Sequence, residues 1–142
     1  MKYYLSLTLA LVYALNLSAA DATVNEKAIQ GMWHPVQAEL ASRPMPDALL
    51  KSISLNLTDG KYEVLVGTQS DRGTYSLDLT REPKGMSITG TEGPNQGKTF
   101  PAIYELTGDT LRICYDLSGT KRPEAFKTVA GTKLYLVTYQ RR

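Results

Sequence analysis

The stretch Thr99–Asp116, TFPAIYELTGDTLRICYD, decides how the rest of the chain is read. Two strand-like runs are joined by Thr107-Gly108-Asp109, residues suited to a tight turn. In the second run Leu111, Ile113 and Tyr115 alternate with Thr110, Arg112, Cys114 and Asp116. That period of two marks a strand with one buried and one wet face. The first run, Phe100 to Leu106, is apolar on both faces except at Glu105, which predicts a central strand.

The same grammar extends towards the N-terminus. Ile53, Leu55 and Leu57 alternate with Ser54 and Asn56, and Asp59-Gly60 comes next. Asp-Gly is a type I′ hairpin signal, because both central residues of that turn need φ > 0. Tyr62, Val64 and Val66 form the buried face of the returning strand. Gly67 to Asp71 is expected to turn again, and Gly73, Tyr75, Leu77 and Leu79 to make the next strand. Met86 and Ile88 carry a short strand, and Gly90 to Gly97 reads as a loop. Nearer the start, Gly31 to Leu40 is a strand with Val36, Ala38 and Leu40 on one face. Pro44 and Pro46 end it. Pro46 suits the first turn of a short helix, with Asp47 near the positive end of its dipole. Ala48, Leu49 and Leu50 give that helix an apolar side, fit for a lid or plug.

On the C-terminal side, Leu117 to Gly131 is irregular, with Arg122-Pro123 and Phe126 as its anchors. Thr132 to Gln140 is the last strand, apolar on both faces. About eight strands with mostly short connections predict an antiparallel barrel or sandwich. At eight strands a closed barrel either fills its interior with side chains or holds one small ligand. The apolar inner face is compatible with both.

The first twenty residues read as a leader. Lys2 gives a positive start, Tyr3 to Leu17 is apolar apart from Ser6, Thr8 and Asn16, and Ser18-Ala19-Ala20 offers a cleavage site after Ala20. The run is short for a membrane span, and no cysteine comes after it to carry a lipid. The expectation is a signal peptide over 1–20 and a single exported domain over 21–142, periplasmic or secreted, with no stable membrane anchor after cleavage. Lys2 is the one charged residue of the leader, so 16 basic residues become 15 against 14 acidic, a net charge of +1. Such a balance gives no electrostatic reason to expect nucleic acid as a partner. Cys114 is the one cysteine, so no disulfide forms within the chain, and it reads as a small buried strand residue.

Catalytic chemistry finds little to build on. His34 is the one histidine and has no evident partner. One histidine and one cysteine assemble neither a zinc cluster nor a Cys–His pair. Glu105, Asp109 and Asp116 are carboxylates in the right number for a hydrolase pair. Asp109 is better explained as turn chemistry and Asp116 as a strand end. The glycines sit at turns and form no phosphate-binding fingerprint. The expectation is a protein that is not an enzyme and uses no cofactor and no metal.

The aromatic residues are more informative. Trp33, Tyr62, Tyr75, Tyr104, Tyr115, Tyr135 and Tyr139 are spread over most of the predicted strands, and the first five are taken as candidate ligand-binding residues. Tyrosines pointing inward give an apolar cavity with a few polar handles. The competing reading is that they simply fill the core.

Gly31-Met32-Trp33 resembles the Gly-x-Trp signature of lipocalins, a family in which the Trp closes one barrel end and packs on a late basic residue. Arg141 or Arg142 would be that residue here; Arg141 is assigned the role. Over the whole length the chain is similar to a small exported lipocalin-like family of planctomycete-type bacteria. The matching stretches are Gly31-Met32-Trp33, 71–75, 93–99, 103–106, 108–115 and Arg122-Pro123. That resemblance implies a lipocalin-like barrel of about eight strands with one short helix, and an exported location, but no activity. The functional expectation is a non-enzymatic binding module holding a small apolar or amphipathic ligand inside the barrel. The alternative is an envelope protein-interaction or inhibitor module acting through its loops, with a protein partner the residues do not identify.

Overall fold

A computed structural model describes residues 19–142 of this protein, with side chains from residue 21. The signal peptide expected over 1–20, apart from the backbone of residues 19 and 20, lies outside the described residues. The elements are α1 (Ala19–Ile29), β1 (Gly31–Leu40), β2 (Arg43–Pro44), α2 (Asp47–Leu50), β3 (Ile53–Thr58), β4 (Lys61–Val66), β5 (Gln69–Asp78), β6 (Lys84–Glu92), β7 (Thr99–Thr107), β8 (Thr110–Asp116) and β9 (Leu134–Arg141). Each strand from β3 to β9 pairs antiparallel with the next, and β9 returns to pair with β1, which also holds β3. The result is a closed antiparallel barrel of eight strands, lipocalin-like and all-β. Closure leaves the barrel no free sheet edge, so every barrel strand is central in the sense expected of β7. Two short helices are present rather than the one expected, because the lead-in before Gly31 is helical. No helix among the described residues is long and apolar enough to cross a membrane.

The turns arise from local sterics. Asp59 and Gly60 take φ of 50° and 75°, as a type I′ hairpin requires. A second positive-φ pair, Ala41 at 50° and Ser42 at 66°, folds β2 back on β1. Neither residue announces such a turn, and this hairpin was not expected. The Gly67–Asp71 turn is shorter than predicted: β5 starts at Gln69, so Ser70 and Asp71 belong to the wall. Likewise β6 continues to Glu92, and only the segment after it loops.

In β1 the pairing with β9 slips between Pro35 and Gln37. This bulge throws Val36 outward, 52% exposed, and lets Trp33 and Ala38 both face the core despite their odd spacing. The expected common face of Val36, Ala38 and Leu40 is therefore broken; of the three only Ala38 is buried. The interior is formed by Leu55, Leu57, Leu111, Ile113 and Val137 together with the aromatic residues. Each fully buried aliphatic side chain contributes about 1.5–3 kcal/mol relative to exposure.

The two barrel ends differ in construction. At one end lie the tight β3–β4 and β7–β8 turns, and α1 is tied across it. Trp33 Nε1 donates to the Ile29 carbonyl at 2.9 Å. Glu26 accepts from the Tyr75 hydroxyl and from the Gly60 amide, and Lys84 Nζ donates to Asn25 at 3.0 Å. The other end carries α2, the 93–98 loop and the long connection from β8 to β9.

That long connection covers the outside of the barrel. Ile103 and Cys114 are register partners on the outer face, yet both are fully buried. The Cys114 thiol lies 3.7 Å from the Lys127 carbonyl, and burial pushes its pKa up. All three expected anchors hold: Arg122 donates to the Pro83 carbonyl, Pro123 is buried, and Phe126 lies under the Arg112 guanidinium at 4.2 Å. Asp116 begins the connection as a staple. Its carboxylate accepts from the Ser118, Thr120 and Lys121 amides at 3.0, 3.2 and 2.8 Å.

Candidate functional site

Strands β3 to β9 converge on a cavity of about 350 Å³ inside the barrel. Its wall is almost wholly aliphatic and aromatic, with Leu55, Leu57, Ile113 and Phe100 among the apolar contributors. At its mouth Met45 and Leu49 come from the segment around α2, Val66 from the end of β4, and Leu117 from the start of the long connection. Leu49 and Val66 are 38% and 42% exposed, an apolar rim facing solvent. The short helix thus stands at the entrance, where a lid or plug was expected.

Among the candidate residues, Tyr62, Tyr75 and Tyr115 reach the cavity wall. Trp33 and Tyr104 do not; they lie nearer the closed end, 0% and 3% exposed, and form its floor. The reason is positional. Trp33 stands opposite Arg141 near the end of β9, and Tyr104 stands opposite Lys84 at the start of β6, both at the α1 end. Two further tyrosines, Tyr135 and Tyr139, also line the wall. Their alternation along β9 marks them as inward, but the double-sided apolarity of that strand hid which face was which.

The tyrosine hydroxyls are mostly committed to one another or to the scaffold. Tyr115 and Tyr139 share a hydrogen bond at 3.1 Å, and the Tyr115 and Tyr135 rings stack with centroids 5.7 Å apart. Burial pushes the Tyr135 hydroxyl up to about 12 and raises those of Tyr115 and Tyr139 as well. Tyr75 sends its hydroxyl to Glu26 of α1; burial and that carboxylate raise its pKa. The Tyr104 hydroxyl is buried without a hydrogen-bond partner, and burial lifts it to about 12.

Tyr62 is oriented by a glycine. A Cβ on Gly73 would fall 2.6 Å from the Tyr62 ring and 2.0 Å from the Thr89 carbonyl oxygen. The bare backbone there lets the ring lie across β5 and carry its hydroxyl to Asp71, 3.4 Å from Oδ2. Burial, then the Asp71 charge, lifts the Tyr62 hydroxyl to about 12. Asn95, from the 93–98 loop, donates to the same Asp71 oxygen at 2.8 Å. The loop is held by a bridge between Gly90 and Gln96. Asp71 and Asn95 both line the cavity, and Asp71 is its one carboxylate among the described residues. Sequence reading missed both, since each was assigned to a turn or loop.

Trp33 and Arg141, the two residues assigned to barrel closure, are in contact. The Arg141 guanidinium lies over the Trp33 ring at 4.3 Å. It also donates to the Gln30 and Ala28 carbonyls, the latter at 2.6 Å, and pairs with Asp109 at 3.3 Å. Gly31 explains the spacing of the Gly-x-Trp motif in this chain. Its φ is 130°, and a Cβ there would come within 3.0 Å of the Arg141 guanidinium. His34 lies away from the cavity wall; desolvation, then the nearby Arg142 charge, lowers its pKa.

Comparison with family models, curated proteins and solved structures finds no match to this chain.

Proposed function

We propose that this chain is an exported, non-enzymatic carrier that holds a small apolar or amphipathic ligand inside its barrel. The observation that carries this reading is the 350 Å³ cavity with its apolar wall and exposed apolar rim. A barrel of this size either fills its interior or keeps room for one small molecule, and a volume above about 300 Å³ is that of a ligand pocket. Supporting it, the closed end is tied down by α1 and the Trp33–Arg141 pair, whereas the mouth leaves large apolar side chains in solvent. The apolar wall supplies affinity by burial, and the hydroxyls of Tyr62, Tyr75, Tyr115 and Tyr139 are already held by partners within the protein. The test is native mass spectrometry of protein purified from its native host, before and after organic extraction. A discrete added mass that extraction removes supports a carrier. A bare chain mass, together with no uptake of a neutral apolar probe, refutes it.

A further inference from the structure

Resting on the carrier reading, we infer that the ligand is an amphiphile with a cationic amine head, selected by Asp71. The cavity wall carries one carboxylate and, among the described residues, no lysine, arginine or histidine. Asp71 is not neutralised by its neighbours. Its two hydrogen-bond donors, the Asn95 amide and the Tyr62 hydroxyl, are uncharged. The ion pairs among the described residues do not include it. Its Oδ1 is buried without a partner, beneath the 93–98 loop, where a Cβ on Gly93 would stand 3.4 Å away.

A carboxylate at an apolar surface favours a positive partner over an uncharged one, because low-dielectric surroundings strengthen the attraction. The head group is matched to Oδ2, because Oδ1 is buried against Gly93. The Oδ2 contact with the Tyr62 hydroxyl is long at 3.4 Å, and a carboxylate oxygen accepts more than one hydrogen bond. An ammonium seated there donates to Oδ2, and the Tyr62 ring borders it as an aromatic wall. The hydrocarbon body then runs down the aliphatic wall towards the Tyr115–Tyr139 pair. The same charge repels a carboxylate head, so fatty acids are disfavoured. The sign of the ligand is written at the mouth.

The experiment uses the neutral fluorophore N-phenyl-1-naphthylamine as the bound probe, displaced at pH 7 by octylamine, octanol or sodium octanoate. Octylamine should displace the probe at concentrations at least about tenfold below those of octanol and octanoate. In Asp71→Asn, which keeps the size of the side chain, that preference should fall to within about threefold while the probe still binds. Glu63→Gln removes a carboxylate that lies outside the cavity wall and pairs with Arg72, and it should keep the amine preference, so the loss in the first variant is specific to Asp71. Octanol or octanoate matching octylamine on the wild type overturns the inference, as does an amine preference that survives Asp71→Asn. Failure of the wild type to bind the probe at all refutes the carrier reading itself.

Discussion

Trp33 offers the sharpest test of how the barrel is closed. Replacing it by alanine removes a fully buried indole, its hydrogen bond to the Ile29 carbonyl and the surface on which Arg141 lies. Large aromatic-to-alanine changes in cores cost about 3–5 kcal/mol through lost transfer energy and the cavity left behind. At about 4 °C per kcal/mol for a domain of this size, the melting temperature should fall by roughly 12–20 °C. Trp33→Phe separates the terms. It keeps most of the apolar volume but leaves the Ile29 carbonyl buried without a donor, which costs about 1–3 kcal/mol. Arg141→Ala removes a second grip on this end of α1, its hydrogen bonds to Gln30 and Ala28. Because both residues hold the same helix end, their losses should overlap. The double variant Trp33→Phe, Arg141→Ala should lose at least about 1 kcal/mol less than the sum of its parts, beyond the 0.3–0.5 kcal/mol scatter of independent sites. Urea unfolding tracked by far-UV circular dichroism measures all four proteins. Additive losses, or a Trp33→Ala melting point within about 5 °C of wild type, would refute the idea that one linked device closes the barrel.

Two further outcomes are expected. Burial opposes ionisation of Asp116, but the Ser118 hydroxyl and the Lys121, Ser118 and Thr120 amides outweigh it and hold the carboxyl down at about 2, against 3.8 in its ordinary state. A depressed folded value stabilises above the unfolded value and is lost as the pH falls through the folded one. Asp116→Asn should therefore cost at most about 2 kcal/mol at neutral pH, after allowing for screening near the surface. That gap should close between about pH 4 and pH 2 in urea titrations; a gap independent of pH would argue against the staple. Tyr104→Phe removes a buried hydroxyl that has no partner. It should leave stability unchanged or raise it by up to about 1 kcal/mol, and a clear loss in thermal melts would mean that the hydroxyl is satisfied.

Where strands alternate cleanly the sequence showed which residues turn inward, but not how far along the barrel they lie. Alternation reports the face of a strand because successive side chains point to opposite sides. It was enough to place Leu111, Ile113 and Tyr115 on the interior, and Asp59-Gly60 was enough to place a hairpin. Height along the axis depends on strand stagger and on which loops lie at which end, and these emerge only on closure. So Trp33 and Tyr104 were grouped with Tyr62, Tyr75 and Tyr115, although the first two make a floor and the other three a wall. A bulge defeats alternation outright, and Val36 shows it: one inserted residue reverses the face of every later residue in the strand. Ala41 and Ser42 were illegible for a different reason, since neither residue favours positive φ and only the pairing of β2 imposes it.

Asp71 was the most consequential residue to misplace, and the cause was local. Ser70-Asp71 comes after Gly67 in a polar stretch that reads as a turn, so its carboxylate was credited to the backbone. In the barrel the turn is over by Gln69, and Asp71 pairs with Val64 near the start of β5, as part of the wall. The two barrel ends use their charges differently. At the closed end Arg141 meets Asp109 and two carbonyls, and Glu26 and Lys84 are spent on neutral partners that fasten α1 across the barrel: Tyr75 and Gly60 for the first, Asn25 for the second. At the mouth a carboxylate is left with neutral donors beside exposed Leu49 and Val66. Buried charges that serve stability alone are paired. One that faces a cavity with its counter-charge missing is better matched to a molecule that arrives from outside, and the apolar rim is the path by which such a molecule enters.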